Sequence, residues 1–119
     1  MEKYSMNGVS LLKNEKAIFP MMGEFHFSRC PEKEWEDEIR KMKACGMDII
    51  ATYVFWIHHE EEESVFDFSG QRNLHRFLEL CEKWQMHVWL RIGPWAHGEA
   101  RNGGFPDWLM KKGYKLRSD

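Results

Sequence analysis

The sequence predicts an α/β fold, and three observations carry that reading. From residue 21 onward, short β-rich runs alternate with amphipathic stretches in the order strand, helix, strand, helix, strand. The middle run, Asp48-Ile49-Ile50-Ala51-Thr52-Tyr53-Val54, is nearly continuous in β-favouring residues, as in a parallel strand covered on both faces. Polar and aromatic residues crowd the C-terminal ends of all three runs and leave the opposite ends plain, the distribution expected where parallel strands carry chemistry on their βα loops. Right-handed crossovers between sequential strands put both helices on one side of the sheet. That favours a partial (β/α)8 TIM barrel, about the first three βα units, preceded by a short N-terminal β-hairpin element. A doubly wound dinucleotide fold needs a glycine-rich turn after its first strand, and Phe27-Ser28-Arg29-Cys30 has no glycine.

Each element has its own signal. Tyr4-Ser5-Met6 and Val9-Ser10-Leu11-Leu12 flank Asn7-Gly8, a strong tight-turn pair. A second turn at Lys13-Asn14-Glu15-Lys16 leads to Ala17-Ile18-Phe19. Residues 21–27 read as the first parallel strand. Pro31 suits the first turn of a helix, and Glu32, Glu34 and Glu36 suit its positive end. Trp35, Ile39 and Met42 form the apolar stripe of that helix, and Gly46 ends it. A loop spans 56–71. Leu74, Phe77, Leu78 and Cys81 mark a second helix, and 86–90 a third buried strand.

Composition narrows the function classes. The chain has 119 residues, enough for one domain (1–119), and a formal charge of −2 with no basic patch for nucleic acid. No apolar stretch has membrane-spanning length. Three cysteines, Cys30, Cys45 and Cys81, lack CxxC spacing and read as reduced thiols rather than a zinc site. The N-terminus has no hydrophobic signal segment, so the expected location is the cytoplasm; an upstream signal outside this sequence would instead mean secretion.

The stretch Gly93-Pro94-Trp95-Ala96-His97-Gly98-Glu99-Ala100-Arg101-Asn102-Gly103-Gly104-Phe105-Pro106-Asp107-Trp108 is too polar for a core and too aromatic for a linker. Trp56, Trp95 and Trp108 in strand-end loops suggest a sugar, whose C–H face packs on aromatic planes while its hydroxyls need fixed partners. Glu99, Asn102, Tyr53, His59 and Glu60 are candidate partners. The plainer role for the tryptophans is packing of the rim; for Glu99 it is an ion pair with Arg101 or Arg91. Asp107 reads as the cap of a short helix near Trp108. A metal-dependent hydrolase is the rival class, since His26, His58, His59, His97 and the acidic run at 60–63 include enough ligand types. The first strand offers one histidine, in Phe25-His26-Phe27, where such barrels usually present an HxH pair. A carbohydrate-binding module without catalysis is the third.

Four ordered motifs resemble one family: Gly23-Glu24-Phe25-His26-Phe27-Ser28-Arg29; Thr52-Tyr53-Val54-Phe55-Trp56 with His59-Glu60; Phe66-Asp67-Phe68-Ser69-Gly70; and Arg91-Ile92-Gly93-Pro94-Trp95 through Gly103-Gly104-Phe105-Pro106-Asp107-Trp108. Together they resemble the N-terminal part of the catalytic barrel of glycoside hydrolase family 35, the β-galactosidases. The resemblance implies that Tyr53, with Ala96, His97, Gly98 and Glu99, binds a terminal β-galactoside, without cofactor or metal. It departs from the commoner family pattern, which has Cys and Ala where His97 and Gly98 stand, Trp at Ala100 and Asn at Ile57; these changes alter the pocket wall. The resemblance further implies a retaining mechanism with two carboxylates ~5 Å apart. In the family the acid/base follows the fourth strand and the nucleophile lies on a later one. A full barrel takes ~250 residues, so the chain is expected to be a fragment without either catalytic residue, missing the C-terminal part of its barrel. Its open sheet edges are expected to invite association.

Overall fold

The structure is a computed structural model that describes residues 2–116. It contains two three-stranded sheets, one antiparallel and one parallel.

The first sheet is a meander of β1 (Tyr4–Met6), β2 (Leu11–Lys13) and β3 (Lys16–Ile18). The β1–β2 connection is longer than a two-residue Asn-Gly turn. The Asn7 side-chain oxygen accepts from the Val9 and Ser10 backbone N–H groups at 3.1 and 2.8 Å, which folds 7–10 into a loop and leaves Val9 exposed instead of in a strand. The β2–β3 turn is the tight one. Asn14 and Glu15 both have positive φ, 50° and 67°, the conformation that matches the twist of a hairpin.

The second sheet holds β4 (Met22–Glu24), β5 (Ile49–Tyr53) and β6 (His87–Arg91), all parallel, with β5 in the middle. The first crossover contains α1 (Trp35–Ala44) and the second contains α3 (Leu74–Lys83); a short helix α2 (Trp56–His59) lies just after β5. The first strand is shorter than expected because the chain leaves the sheet after Phe25 and turns over 27–29. Pro31 precedes a 3-10 turn, so the α-helix proper begins at Trp35. Asn73 caps α3 by accepting from the Arg76 N–H at 3.0 Å.

One core joins the helices to one face of the sheet: Phe27, Trp35, Ile39, Ile50, Phe77, Leu80, Cys81 and Met86. Phe27 stacks on Phe77 at 5.0 Å, and Trp35 meets both edge-on at 5.6 and 5.8 Å. The Trp35 indole N–H donates to the Phe27 and Cys30 carbonyls, both at 2.9 Å, which ties the first strand-end loop to the helix. On α3, Leu80 is buried and Leu78 only half so. The three cysteines stand apart as free thiols, and burial pushes Cys81 up to about 12.

The third strand is not buried. β6 hydrogen-bonds to β5 on one side only, and while Val88 packs on the helix-side core, Trp89 is 59% exposed on the opposite face. An apolar run reads alike whether the strand is central or at an edge, so composition alone misassigned it.

Both long helices end in the same backbone motif. After α1, the N–H groups of Gly46 and Met47 donate to the Lys43 and Met42 carbonyls; after α3, those of Gln85 and Met86 donate to Glu82 and Cys81. Gly46 sits at φ 84° and Gln85 at φ 54°. A side chain is unfavourable in that left-handed region, so one cap uses glycine and the other does not. Gln85→Gly is expected to stabilise the chain by about 1 kcal/mol and Gly46→Ala to destabilise it by about the same amount. Urea unfolding checks the pair; shifts of the same sign would contradict the assignment.

Candidate functional site

Because the three strands run parallel, their C-terminal ends lie along one edge of the sheet. Register sets the neighbours: Glu24, Ala51 and Trp89 share one row, and Tyr53 and Arg91 the next. Partners in register point to the same face, here the face away from the two helices.

Tyr53 is 7% exposed and packs with Phe55, Ile57 and Ala96 in a second, smaller core. The Arg91 guanidinium lies over its ring, 3.9 Å from the centre, and also donates to the Glu24 carboxylate. The His26 ring stacks on Tyr53 at 5.6 Å; its Nε2 lies 3.2 Å from Glu24 Oε1 and 3.6 Å from Glu99 Oε2. Arg29 donates to the Glu99 carbonyl and stands 3.9 Å from its carboxylate. Glu99 therefore pairs with Arg29, not with Arg101 or Arg91. Burial holds the His26 pKa below the usual histidine range, outweighing the opposing pull of Glu24 and Glu99.

The third loop reaches this point through unusual backbone. His97, Asn102, Gly103 and Gly104 all have positive φ, and the Ala96 N–H donates to the Gly103 carbonyl at 2.7 Å to close the loop. The Trp95 ring covers the Gly103 backbone so closely that a Cβ there would lie 1.8 Å from Trp95 Cζ3. His97 and Gly98 are exposed, Ala96 is buried, and the Glu99 side chain is 44% exposed. Beside Glu99 opens a cleft of about 640 Å³ whose walls include Arg29, Ile57, His58, Ala100 and Asp107.

Several candidate sugar partners are engaged within the protein instead. His59 is 3% exposed, with its Nδ1 3.1 Å from the Asp67 carbonyl and its ring stacked on Phe68. Glu60 is 6% exposed and accepts from the Trp56 indole and the Ser64 N–H. Asn102 donates to Asp107 at 2.8 Å, and Asp107 does not cap the helix α4 (Asp107–Lys111), because it is the first helical residue and Pro106 stands at the cap position; its carboxylate also holds Arg101. The three tryptophans pack the rim: Trp56 meets Trp108 at 5.8 Å and Phe105 at 6.0 Å, and Trp95 meets Phe105 at 5.9 Å.

The metal-ligand types also disperse. His58 Nδ1 lies 2.9 Å from Ser28 Oγ, and His97 packs edge-on to Trp95. Among the described residues one group of three possible ligands lies within 4.8 Å: Glu24, His26 and Glu99. Arg91 and Arg29 already balance its two carboxylates, so a cation there would have to compete with both guanidinium groups. Glu24, His26 and Arg91 were not singled out together by the sequence. The available signal was alternation, since residues 24 and 26 fall on one side of a strand and its extension.

The family model for glycosyl hydrolases family 35 matches residues 10–119. An exo-β-D-glucosaminidase of Pyrococcus horikoshii is 47% identical over 101 residues, covering 82% of this chain and 13% of that protein. β-Galactosidase 13 of Arabidopsis thaliana is 36% identical over 119 residues, 99% of this chain and 14% of the relative. The human β-galactosidase-1-like protein 2 is 37% identical over 112 residues, 93% of this chain and 18% of the relative. The chain thus spans less than a fifth of each of these relatives.

Two outcomes follow from the geometry. Gly103→Ala is expected to cost about 3 kcal/mol, since the methyl group meets a ring and the backbone is left-handed; a loss below about 1 kcal/mol in urea unfolding would contradict the packing. His26, His58 and His59 all have pKa values lowered chiefly by burial. The unfolded chain then binds more protons than the folded one below the ordinary histidine pKa of about 6.5, so stability is full above it and falls as pH drops toward the folded values. The slope is at most about 1.4 kcal/mol per pH unit for each histidine. Unfolding midpoints that stay flat from about pH 7.5 to about pH 5 would contradict this sign.

Proposed function

The chain belongs to glycosyl hydrolases family 35, and from that membership we propose that it forms the opening part of a retaining β-galactosidase barrel. In this reading β4, β5 and β6 with α1 and α3 are the first three βα units, and the remaining strands pair with the outer edges of β4 and β6. The exposure of Met22, Trp89 and Leu90 along that sheet supports it, because a closed barrel would cover such side chains.

The substrate is a terminal β-galactoside, held by Tyr53, by the backbone around Ala96, His97 and Gly98, and by Glu99. One observation supports this most directly: His26 stacks on Tyr53 and approaches Glu99, so that residues 46 positions apart in the sequence meet at one strand end. A carboxylate there accepts sugar hydroxyls well, and charge strengthens such bonds. The half-exposed Glu99 side chain is available for that role in a way that the enclosed Glu60 is not.

Hydrolysis needs an acid and a nucleophile, which this reading assigns to parts of the barrel beyond these residues. The 119-residue chain is therefore expected to bind galactose weakly and to hydrolyse nothing. Calorimetric titration with galactose should show Glu99→Gln weakening binding roughly tenfold to a hundredfold, the loss of a hydrogen bond to a charged group of about 1.5–3 kcal/mol. Unchanged affinity would remove Glu99 from the site. Turnover of a chromogenic β-galactoside at ~1–10³ s⁻¹ would contradict the division of labour. It would also point to Glu24 and Glu99, whose oxygens lie within 4.8 Å of each other.

A further inference from the structure

Glu60 is enclosed, yet among the described residues no arginine, lysine or histidine lies within ion-pair distance of it. A buried carboxylate is costly unless donors surround it. Here all the donors are N–H groups. Ser64 N–H donates to Oε1 at 2.7 Å, the Trp56 indole donates to Oε2, and the Trp108 indole donates to the Glu60 backbone carbonyl at 3.0 Å. The first two belong to the loop after β5, and the third to α4.

The two indoles meet edge-on at 80°, and Trp56 also meets Phe105. The carboxylate thus orders residues 56–64, and the link to residues 105–108 runs through the Trp56 ring, which meets Phe105 and Trp108, and through the Glu60 main-chain carbonyl, which holds Trp108. The same two segments line the cleft beside Glu99, the first through Ile57 and His58 and the second through Asp107. Glu60 itself is not among the cleft's lining residues. Any effect it has on a ligand must pass through what it holds.

We propose that Glu60 is a positioning residue: its carboxylate fixes Trp56, on which Trp108 and Phe105 pack, and so sets the spacing between the second and third strand-end loops and the shape of the sugar site. The inference rests on reading that end as a sugar site. It assigns a carboxylate in the second motif a role other than contact with the sugar. Directional bonds explain why an acid serves here. Apolar packing alone would let the Trp56 indole slide against Trp108, whereas its N–H bond to the carboxylate fixes the ring in orientation as well as place.

Glu60→Gln is the near-isosteric test. A carboxylate accepts at both oxygens, but an amide accepts at one and donates at the other. Whichever way the amide turns, one of Ser64 N–H and Trp56 Nε1–H faces a donor. In the full chain, hydrogen–deuterium exchange and galactose titration are read together. Glu60→Gln is expected to speed exchange across residues 96–108 as well as 56–64, and to weaken galactose binding about tenfold, the factor that about 1.4 kcal/mol represents. Gly46→Ala serves as the control for a loss of stability far from the cleft, and should change neither readout there. If Glu60→Gln does not fold, Trp108→Phe removes the indole N–H and part of the ring that packs on Trp56, and should speed exchange in both 56–64 and 96–108.

Faster exchange confined to 56–64, or normal galactose affinity despite faster exchange in 96–108, would overturn the positioning role. A wild-type chain that takes up no galactose would count against the sugar reading. In that case the exchange data alone decide whether Glu60 couples the loops: a change reaching 96–108 upholds the coupling, and a local change overturns it.

Discussion

Parallel pairing of β4, β5 and β6 is the constraint on which the remaining architecture depends. An antiparallel sheet would scatter the three loops to both ends. Parallel register collects them, with Glu24 beside Ala51 and Tyr53 beside Arg91. The central place of β5 follows from its composition, since Ile50 and Thr52 are fully enclosed and Tyr53 nearly so. Two crossovers then have to return the chain, and α1 and α3 do so by burying Trp35, Ile39, Phe77 and Leu80 against one face. The opposite face is left for charged and aromatic groups.

On that face the electrostatics are tightly coupled. Arg91 contacts both a carboxylate and an aromatic ring, Glu24 and Tyr53, and so links the first strand to the second through the third. His26 sits between Glu24 and Glu99, and burial lowers its pKa against the opposing pull of both carboxylates. Arg29 holds the loop that bears Glu99. The Tyr53 ring is enclosed by Arg91, His26 and Phe55, while the Glu24 and Glu99 carboxylates stay partly exposed as fixed acceptors.

Much of the fold was legible in the sequence. The order of strands and helices, the apolar stripe Trp35–Ile39–Met42 and the stop at Gly46 all follow from periodicity and backbone preference, which are local. The failures came where the outcome depends on distant neighbours. The run that forms β6 looked buried, although only one partner strand lies beside it. Asn7-Gly8 looked like a two-residue turn, but the Asn7 side chain captures two N–H groups and draws more residues into the loop. At the strand ends, Tyr53 and Ala96 pack together and His26 lies between Tyr53 and Glu99, a meeting of residues that the motif order alone does not specify. Nor does it specify the engagement of His59, Glu60 and Asn102 inside the protein, because those partners come from Asp67, Ser64, Trp56 and Asp107. A polar residue in a loop reads the same whether it serves a ligand or another loop.

Three loops from three parallel strands converge on a single face, and the central proposal is that this face holds one sugar. A crystal structure of the chain soaked with galactose tests it most directly. The account predicts the pyranose at the C-terminal ends of β4, β5 and β6, with hydroxyls on the Glu99 carboxylate and beside Tyr53. Galactose found only at the N-terminal ends of the strands, or in contact with neither residue, would contradict it.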